Sequence, residues 1–296
     1  MRIYKLLMLV AASGILMSSC SGDDDGANAA FIKLDVLGLQ ALETNVEYEA
    51  WIVVEGENKS LGRFTDVSFP KQFRANRSDI ANATQFKLSI EPGNDPSPAI
   101  SNTVLLSGNF AGNGAQLDIK GTLGNFENAS GVFMLKTPTD NDPNNEQSGI
   151  YWQRPYATNN GVGLQLPNLP EGWKYEGWVT VPTTPNGSVN LSTGTFNQPN
   201  GQDDFLPYSR TDNAPPAFPG EDFLNLNLLS KSGVNTIPDL RGKEVFISIE
   251  PFPDHDGNTP FILQPLSGEA GNELAPSINT MGLKTASFPI GTASKE

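Results

Sequence analysis

The chain has 296 residues with 29 glycines and 23 prolines, which argues against long helices and leaves room for one large β domain or two of ordinary size. Its 19 basic and 33 acidic residues give a net charge of −14, which disfavours nucleic-acid binding. One Cys and one His exclude an intrachain disulfide and a zinc site of four cysteines, or of two cysteines and two histidines.

The first segment of the chain has the pattern of an export signal. Arg2 and Lys5 precede an apolar run that is too short to form a membrane-spanning helix. The run ends in Leu16-Met17-Ser18-Ser19-Cys20, which resembles the lipobox of bacterial lipoproteins. This resemblance implies removal of residues 1–19 and lipidation of Cys20. The alternative is an ordinary secretory signal with an incidental Cys.

Residues 20–30 are predicted to form a tether. Ser21-Gly22-Asp23-Asp24-Asp25 resembles the acidic tag that follows the lipidated Cys in Bacteroidota lipoproteins exported to the cell surface. The resemblance implies a cell-envelope location, with the lipid anchor in the outer membrane and the chain exposed at the surface. A solvated spacer is the simpler interpretation of the same residues.

An internal repeat organises the rest of the chain. Four motifs recur in the same order, each rich in β-branched and aromatic residues and bounded by Gly, Pro or Asn, as is typical of strands. The matched pairs are Tyr48–Val54 with Tyr175–Val181, Leu61–Phe64 with Thr193–Phe196, Phe86–Pro92 with Val245–Pro251, and Leu106–Gly108 with Leu266–Gly268. The repeat predicts two copies of one β domain.

Local details of the repeat give further predictions. Tyr48 and Trp51 cannot share one strand face at a period of two, so the sequence predicts either a bulge at Glu49–Ala50 or a strand that is covered on both faces. Pro92 and Pro251 are predicted to end their strands, because proline cannot donate to the ladder. The best helical candidate is the short segment 77–83.

The aromatic residues of the repeat are predicted to form core. Two pairs of aromatic residues occupy equivalent positions in the two copies, Trp51 with Trp178 and Tyr48 with Tyr175. Residues that both copies share are expected to serve the fold that both copies share. Trp173 is interpreted in the same way. Segments 131–136 and 149–152, the second of which holds Trp152, are predicted as the opening strands of the second copy.

The second copy contains an insertion, residues 197–244, that the first copy lacks. It combines acidic and aromatic residues, which suits either a loop that binds a ligand or partner, or a small apolar cluster that orders the loop. The candidate residues are Asp203, Asp204, Tyr208, Phe218, Glu221, Asp222 and Phe223.

Other chemistry has weak support in the sequence. His255 is the one possible imidazole base and has no Gly-x-Ser-x-Gly motif to serve, so it is interpreted as a solvated loop residue. Asp254-x-Asp256-Gly257-Asn258 resembles a calcium loop, but Pro265 stands where the bidentate Glu belongs. No catalytic residue, metal ligand or cofactor is therefore predicted.

The repeated motifs resemble the C-terminal, extracytoplasmic domain of anti-sigma-K factors. That family has a Tyr-x-x-Trp strand, a Gly-x-Phe segment, an apolar strand ending in Glu-Pro, a Pro-bearing loop and a Gly-bearing strand. Both copies carry this series, over about residues 31–110 and 150–270. The resemblance implies a β domain outside the cytoplasm, without catalytic residues. The chain has neither a helical sigma-binding domain nor a membrane-spanning helix, so direct inhibition of a sigma factor is not implied.

The sequence therefore predicts an all-β protein with two tandem antiparallel β-sandwich domains, residues 31–125 and 126–296, divided near 121–130. The first functional hypothesis is a non-enzymatic, lipid-anchored envelope or surface protein that binds an unknown partner. The alternative is a carbohydrate-binding lipoprotein of a glycan-uptake system. A third is the sensing half of a regulator that acts on a transmembrane partner. The expected partners are the membrane, through the lipid, and a protein or glycan.

Overall fold

The computed structural model describes residues 28–94, 97, 99–155, 161–183, 187–209, 216–255, 257 and 259–296. The predicted signal segment 1–19, Cys20 and most of the predicted tether 20–30 lie outside these residues. The described part contains two short α-helices, α1 (Arg77–Asn82) and α2 (Leu226–Leu229), and seventeen strands. The strands are β1 (Ala29–Leu37), β2 (Val46–Val54), β3 (Glu57–Phe64), β4 (Lys71–Asn76), β5 (Gln85–Pro92), β6 (Val104–Asn109), β7 (Gly114–Leu117), β8 (Ser130–Leu135), β9 (Gly149–Tyr151), β10 (Leu164–Gln165), β11 (Trp173–Pro182), β12 (Ser188–Phe196), β13 (Gly220–Asp222), β14 (Glu244–Pro251), β15 (Leu266–Glu269), β16 (Asn279–Leu283) and β17 (Ile290–Lys295).

The pairings confirm the predicted fold class. Every strand pair among the described residues is antiparallel, and the chain is built mainly from strands. Most of the buried apolar side chains, from both the N- and the C-terminal part of the chain, belong to one cluster. The division into two separate sandwiches therefore stays a prediction.

The repeated motifs form the same run of four strands twice. The order is β3-β2-β5-β6 in the first copy and β12-β11-β14-β15 in the second. The registers also correspond: Tyr48 lies opposite Ile90, and Tyr175 lies opposite Ile249. The sequence repeat is thus a structural repeat.

Strand β2 is covered on both faces. It pairs with β5 without interruption from Val46 to Val53, so Tyr48 and Trp51 lie on opposite faces, and both are buried. The predicted bulge at Glu49–Ala50 is wrong, because the register shift of β2 against β3 places the extra residue, Leu61, on β3, and the corresponding shift between Glu176 and Trp178 places it on β12.

The predicted helix α1 is present and begins after Asn76, whose side chain accepts a hydrogen bond from Ser78 N. Strands β5 and β14 end at Pro92 and Pro251, as predicted.

The remaining strands also correspond, except β10, which pairs with β8 off the main order. Strands β7-β17-β1-β4 form a second sheet of four strands, whereas β16-β8-β9-β13 continue the sheet of the second copy beyond β15. Leu117 of β7 lies opposite Gly291 of β17, as Met281 of β16 lies opposite Gly131 of β8. Strands β8 and β17 therefore occupy equivalent places.

These two strands are exchanged between the copies. Strand β8 follows β7 in the chain but pairs with β9 and β16, whereas β17 follows β16 but pairs with β1 and β7. We call β1–β7 with β17 the first half, and β8–β16 the second half. The predicted second domain, 126–296, differs from the structure at its C-terminal end, because β17 completes the sheet of the first half.

The predicted core aromatics are buried. Trp51 and Trp178 are 2% and 1% exposed, and Trp152 and Trp173 are buried with them. Trp51 Nε1 donates to Ser89 Oγ at 2.9 Å, and Trp178 Nε1 donates to Ser248 Oγ at 2.8 Å. Each indole is therefore both packed and hydrogen-bonded at the same place in its half.

Truncation of either indole is expected to destabilise the chain strongly. Trp51→Ala and Trp178→Ala should each lower the free energy of unfolding by about 3–5 kcal/mol, because a large cavity opens and a buried serine loses its donor. Chemical denaturation measures the free energy of unfolding of both variants. Trp51→Phe is the control, since it removes the hydrogen bond but little of the volume, and it should cost less than Trp51→Ala. Equal losses from the two substitutions would contradict this account.

Candidate functional site

The structure places most of the predicted insertion residues in the interior. Asp204 is exposed and Asp203 and Phe218 are half-buried, whereas the other four candidates, Tyr208, Glu221, Asp222 and Phe223, are buried. Strand β13, which carries Glu221 and Asp222, pairs with β9 at the edge of its sheet. The rings of Tyr208 and Phe223 pack with centroids 5.5 Å apart. These four side chains order the insertion from within rather than presenting a surface.

Glu221 is a buried acid held by backbone donors. Its Oε2 accepts from Tyr208 N at 2.9 Å, and its Oε1 accepts from Asp222 N at 2.8 Å and from the Ser209 hydroxyl. Glu221 lies opposite Ile150, while the first half places Phe73 opposite Ile32. Burial raises the pKa of Glu221 to about 8. The second half thus has a carboxyl where the first half has a ring.

Two further acids nearby carry an oxygen without a partner. Asp203 Oδ2 accepts from Gly220 N at 2.8 Å, and Asp222 Oδ2 accepts from Thr139 N at 2.9 Å. The Oδ1 atoms of both are buried and have no hydrogen-bond partner among the described residues. Burial raises the pKa of Asp203 to about 9 and that of Asp222 to about 6.

Metal and triad chemistry have no assembled site in the described residues. No three His, Cys, Asp or Glu side chains of this part are grouped to hold a metal ion. In the calcium-like loop, Asp256 and Asn258 lie outside the described residues. Asp254 is half-buried, and His255 is exposed beside a cavity that the sequence did not reveal.

This cavity has a volume of about 370 Å³ and lies between the two halves, where β5 and β14 end. None of the described residues of the insertion 197–244 lines it. The first half contributes Val46, the segment 90–92 and the segment 101–103, and the second half contributes Glu171, Gly172, the segment 251–253 and His255. A smaller cavity of about 30 Å³ adjoins it and shares Val46, Ile90, Pro251 and His255.

Three backbone correspondences identify the residues that make room for the cavity. Val46 lies opposite Pro92, as Trp173 lies opposite Pro251. Ser101 N donates to Glu91 at 3.0 Å, as Phe261 N donates to Glu250 at 2.9 Å. Ile90 N donates to Thr103 O at 3.0 Å, as Ile249 N donates to Leu263 O at 2.8 Å.

The second half fills these three positions with large apolar side chains. Trp173, Phe261 and Leu263 are all buried, and the rings of Trp173 and Phe261 lie 6.2 Å apart. The first half has Val46, Ser101 and Thr103 instead, and all three line the cavity. The cavity therefore comes from smaller, more polar side chains on a shared backbone.

Glu91 is the most deeply buried charged group of the lining. It is 0% exposed, and its Oε1 accepts from Ser101 N and from the Ser89 hydroxyl. Its Oε2 has no hydrogen-bond partner among the described residues. In the second half, both oxygens of Glu250 accept from Phe261 N, at 2.9 and 3.2 Å, and burial raises the pKa of Glu250. At this position of the repeat, the first half leaves a buried carboxylate oxygen without a partner among the described residues, and the second half does not.

Within the described part of the chain, no helix is long and apolar enough to cross a membrane. Comparison with protein-family models, with curated protein sequences and with solved structures finds no match to this chain.

Proposed function

We propose that the chain is a non-enzymatic binding protein, held at the cell envelope by lipid on Cys20, whose ligand enters the cavity between the two halves. The cavity carries this proposal. Its volume of about 370 Å³ falls within the range of small-ligand sites, and its walls combine apolar side chains with a few polar groups. The same backbone positions are filled in the second half, so the fold itself does not require the space.

The proposed anchor rests on the sequence. Cys20 is the only Cys of the chain and stands at the end of the apolar run. A diacylated Cys gives stable membrane attachment, because two chains bury many methylene groups. The resemblance to the anti-sigma-K extracytoplasmic domain supports the same location outside the cytoplasm.

Replacement of Cys20 tests the anchor. In cells fed radiolabelled palmitate, the wild-type chain should carry the label, and Cys20→Ala should lose it and keep residues 1–19, because cleavage at a lipobox follows lipidation. Ser21→Ala is the matched control and should be labelled like the wild type. A wild-type chain without label, or a Cys20→Ala chain that keeps it, would rule out the lipid anchor.

A carbohydrate ligand is the second candidate. Phe252 is 49% exposed at the cavity, and Ser101 and Thr103 bring two hydroxyls 2.8 Å apart. An accessible ring beside polar groups is a common arrangement for stacking a sugar. The binding experiment described below separates this candidate from the one that we favour.

A further inference from the structure

We propose that the cavity between the halves binds a primary alkylammonium group, either of a free amine or of a lysine side chain. This inference rests on the proposed binding role of the cavity. The argument has three parts: the hydrogen-bonding character of the lining, its charge, and its apolar walls.

The buried and half-buried polar side chains of the lining are acceptors, whereas its two side chains with N–H donors, Asn102 and His255, are exposed at the rim. Ser101 Oγ and Thr103 Oγ1 both donate to Ile90 O, the first at 2.8 Å, so their hydrogens are already used within the protein.

Ser101 Oγ also accepts from Thr103 N at 3.3 Å and lies 2.8 Å from Thr103 Oγ1. The remaining lone pairs of the two hydroxyls, and Glu91 Oε2, which is buried without a partner among the described residues, are left to accept. A ligand that satisfies this set must bring donors. A sugar hydroxyl also needs donors for its own oxygen, whereas an ammonium group offers three N–H donors and has no acceptor.

The charge of the lining selects a cation. Glu91 and Glu171 line the cavity, and none of the described lining residues is Lys or Arg. The nearby Lys174 is already engaged, since its Nζ lies 2.7 Å from Asp204 Oδ2 and 4.0 Å from the ring centroid of Phe252. An ammonium group in the cavity would be the cationic partner of a buried carboxylate, and hydrogen bonds between such charged groups are the stronger kind.

The walls fit an alkyl chain. Pro92, Pro251, Pro253 and Phe252 supply apolar surface around the opening, and Val46 and Ile90 supply it deeper in the lining. The volume of about 370 Å³ exceeds what a single ammonium group needs and leaves space for a body of several methylene groups. The favoured ligand is therefore an amine on a flexible aliphatic chain rather than a bare cation.

Calorimetry on the mature chain, made soluble by Cys20→Ser, tests the proposal. The probes are cadaverine, its uncharged analogue 1,5-pentanediol, an acetylated and amidated Gly-Gly-Lys-Gly-Gly peptide, and galactose. We expect cadaverine or the peptide to bind at least tenfold more tightly than the diol. Tighter binding of cadaverine than of the peptide identifies a free amine as the ligand source, and the reverse order identifies a lysine side chain.

Two substitutions locate the binding. Glu91→Gln keeps the shape of the side chain, removes its charge and should weaken cadaverine and peptide binding at least tenfold. Glu57→Gln, on the exposed strand β3, is the matched control and should change neither. If Glu91→Gln does not fold, the Ser101→Phe variant tests the proposal instead. It places a ring at the position that Phe261 occupies in the second half, and it should abolish binding by filling the cavity.

The outcomes separate this inference from the proposed function. Equal binding of diol and cadaverine, or unchanged binding by both variants, overturns the ammonium site. Galactose binding that Ser101→Phe abolishes, without amine binding, also overturns it but keeps the cavity as a binding site for carbohydrate. Failure of all four probes to bind below 10 mM, as an order of magnitude for a specific small-ligand site, overturns both.

Discussion

A chain that ends at Pro289 is expected to lose the fold of the first half while the second half keeps its strands. The truncation removes β17, which pairs with β1 from Ile32 to Leu37 and with β7 from Gly114 to Leu117. It also removes Lys295, whose Nζ donates to Ala83 O at 2.7 Å just after helix α1. Both edges of the gap would expose unpaired backbone groups, which favours aggregation as well as unfolding.

Hydrogen exchange measures this outcome strand by strand. Amides of β1 and β7 should lose protection from exchange, and those of β11 and β14 should keep it. Adding a peptide of residues 289–296 should restore the protection of β1 and β7. Gly291→Ala is a milder version, because a Cβ there would lie 2.5 Å from Asp35 O. Gly282→Ala, whose Cβ would meet nothing closer than 4.0 Å, is the matched control. Full protection of β1 in the truncated chain would show that β17 is dispensable.

The chain is also expected to become less stable as the pH rises from about 4 to about 9. Asp203 has a pKa near 3.8 when unfolded and about 9 when folded, because burial disfavours its charged form. Below pH 4 both states hold the proton, so the contribution of Asp203 to stability is fully present. Between the two pKa values only the folded state holds it, and the free energy of unfolding falls by up to about 1.4 kcal/mol per pH unit. Above pH 9 the loss is complete.

Asp203→Asn tests this pH dependence. The amide oxygen of Asn can still accept from Gly220 N, but the side chain no longer binds or releases a proton. The curve of unfolding free energy against pH should therefore become flatter. At pH 9 the variant should be more stable than the wild type. Asp204→Asn is the control, since Asp204 is exposed and its ion pair with Lys174 is worth at most about 1 kcal/mol. Equal slopes for Asp203→Asn and the wild type would show that Asp203 is ionised in the folded chain.

The sequence predicted those parts of the fold that short patterns determine. The spacing of Tyr48 and Trp51 indicated a bulge or a strand covered on both faces, the prolines ended strands β5 and β14, and the segment 77–83 contained helix α1. These features depend on neighbours in the chain, so their signal is local. The repeat extended the prediction, because two copies of one pattern reported one shared core.

The exchange of β8 and β17 has no such local signal. Strand β17 has one fully buried apolar residue, Ala293, and its partner β1 lies at the other end of the chain. The contacts of Trp152 could not be predicted from local patterns either, because its partners are far away in the chain. Its Nε1 donates to Thr193 Oγ1 at 3.1 Å, and a Cβ at Gly177 would lie 2.9 Å from its ring, so three distant residues are matched in space.

The candidate site was missed for two different reasons. The sequence singled out the acids of the insertion, but a strand of three residues does not reveal which of its faces is covered, so Glu221 and Asp222 gave no sign of burial. The cavity leaves a trace only in a comparison of the two copies. Aligning Leu106–Gly108 with Leu266–Gly268 brings Ser101 and Thr103 against Phe261 and Leu263. Only the structure shows that Val46 and Trp173 are the third pair of equivalent residues at this place.

The pairing of β1 with β17 also determines how the chain resists mechanical load. Strand β1 begins at Ala29, and Phe31 and Glu296 exchange two backbone hydrogen bonds, at 3.1 and 2.8 Å. A pull on the chain from the N-terminal side of Ala29 acts along β1, perpendicular to its hydrogen bonds with β4 and β17. Because these bonds are loaded in shear, many must break together rather than one after another. Strand β1 is thus held on both sides, by β4 and by β17, the last strand among the described residues.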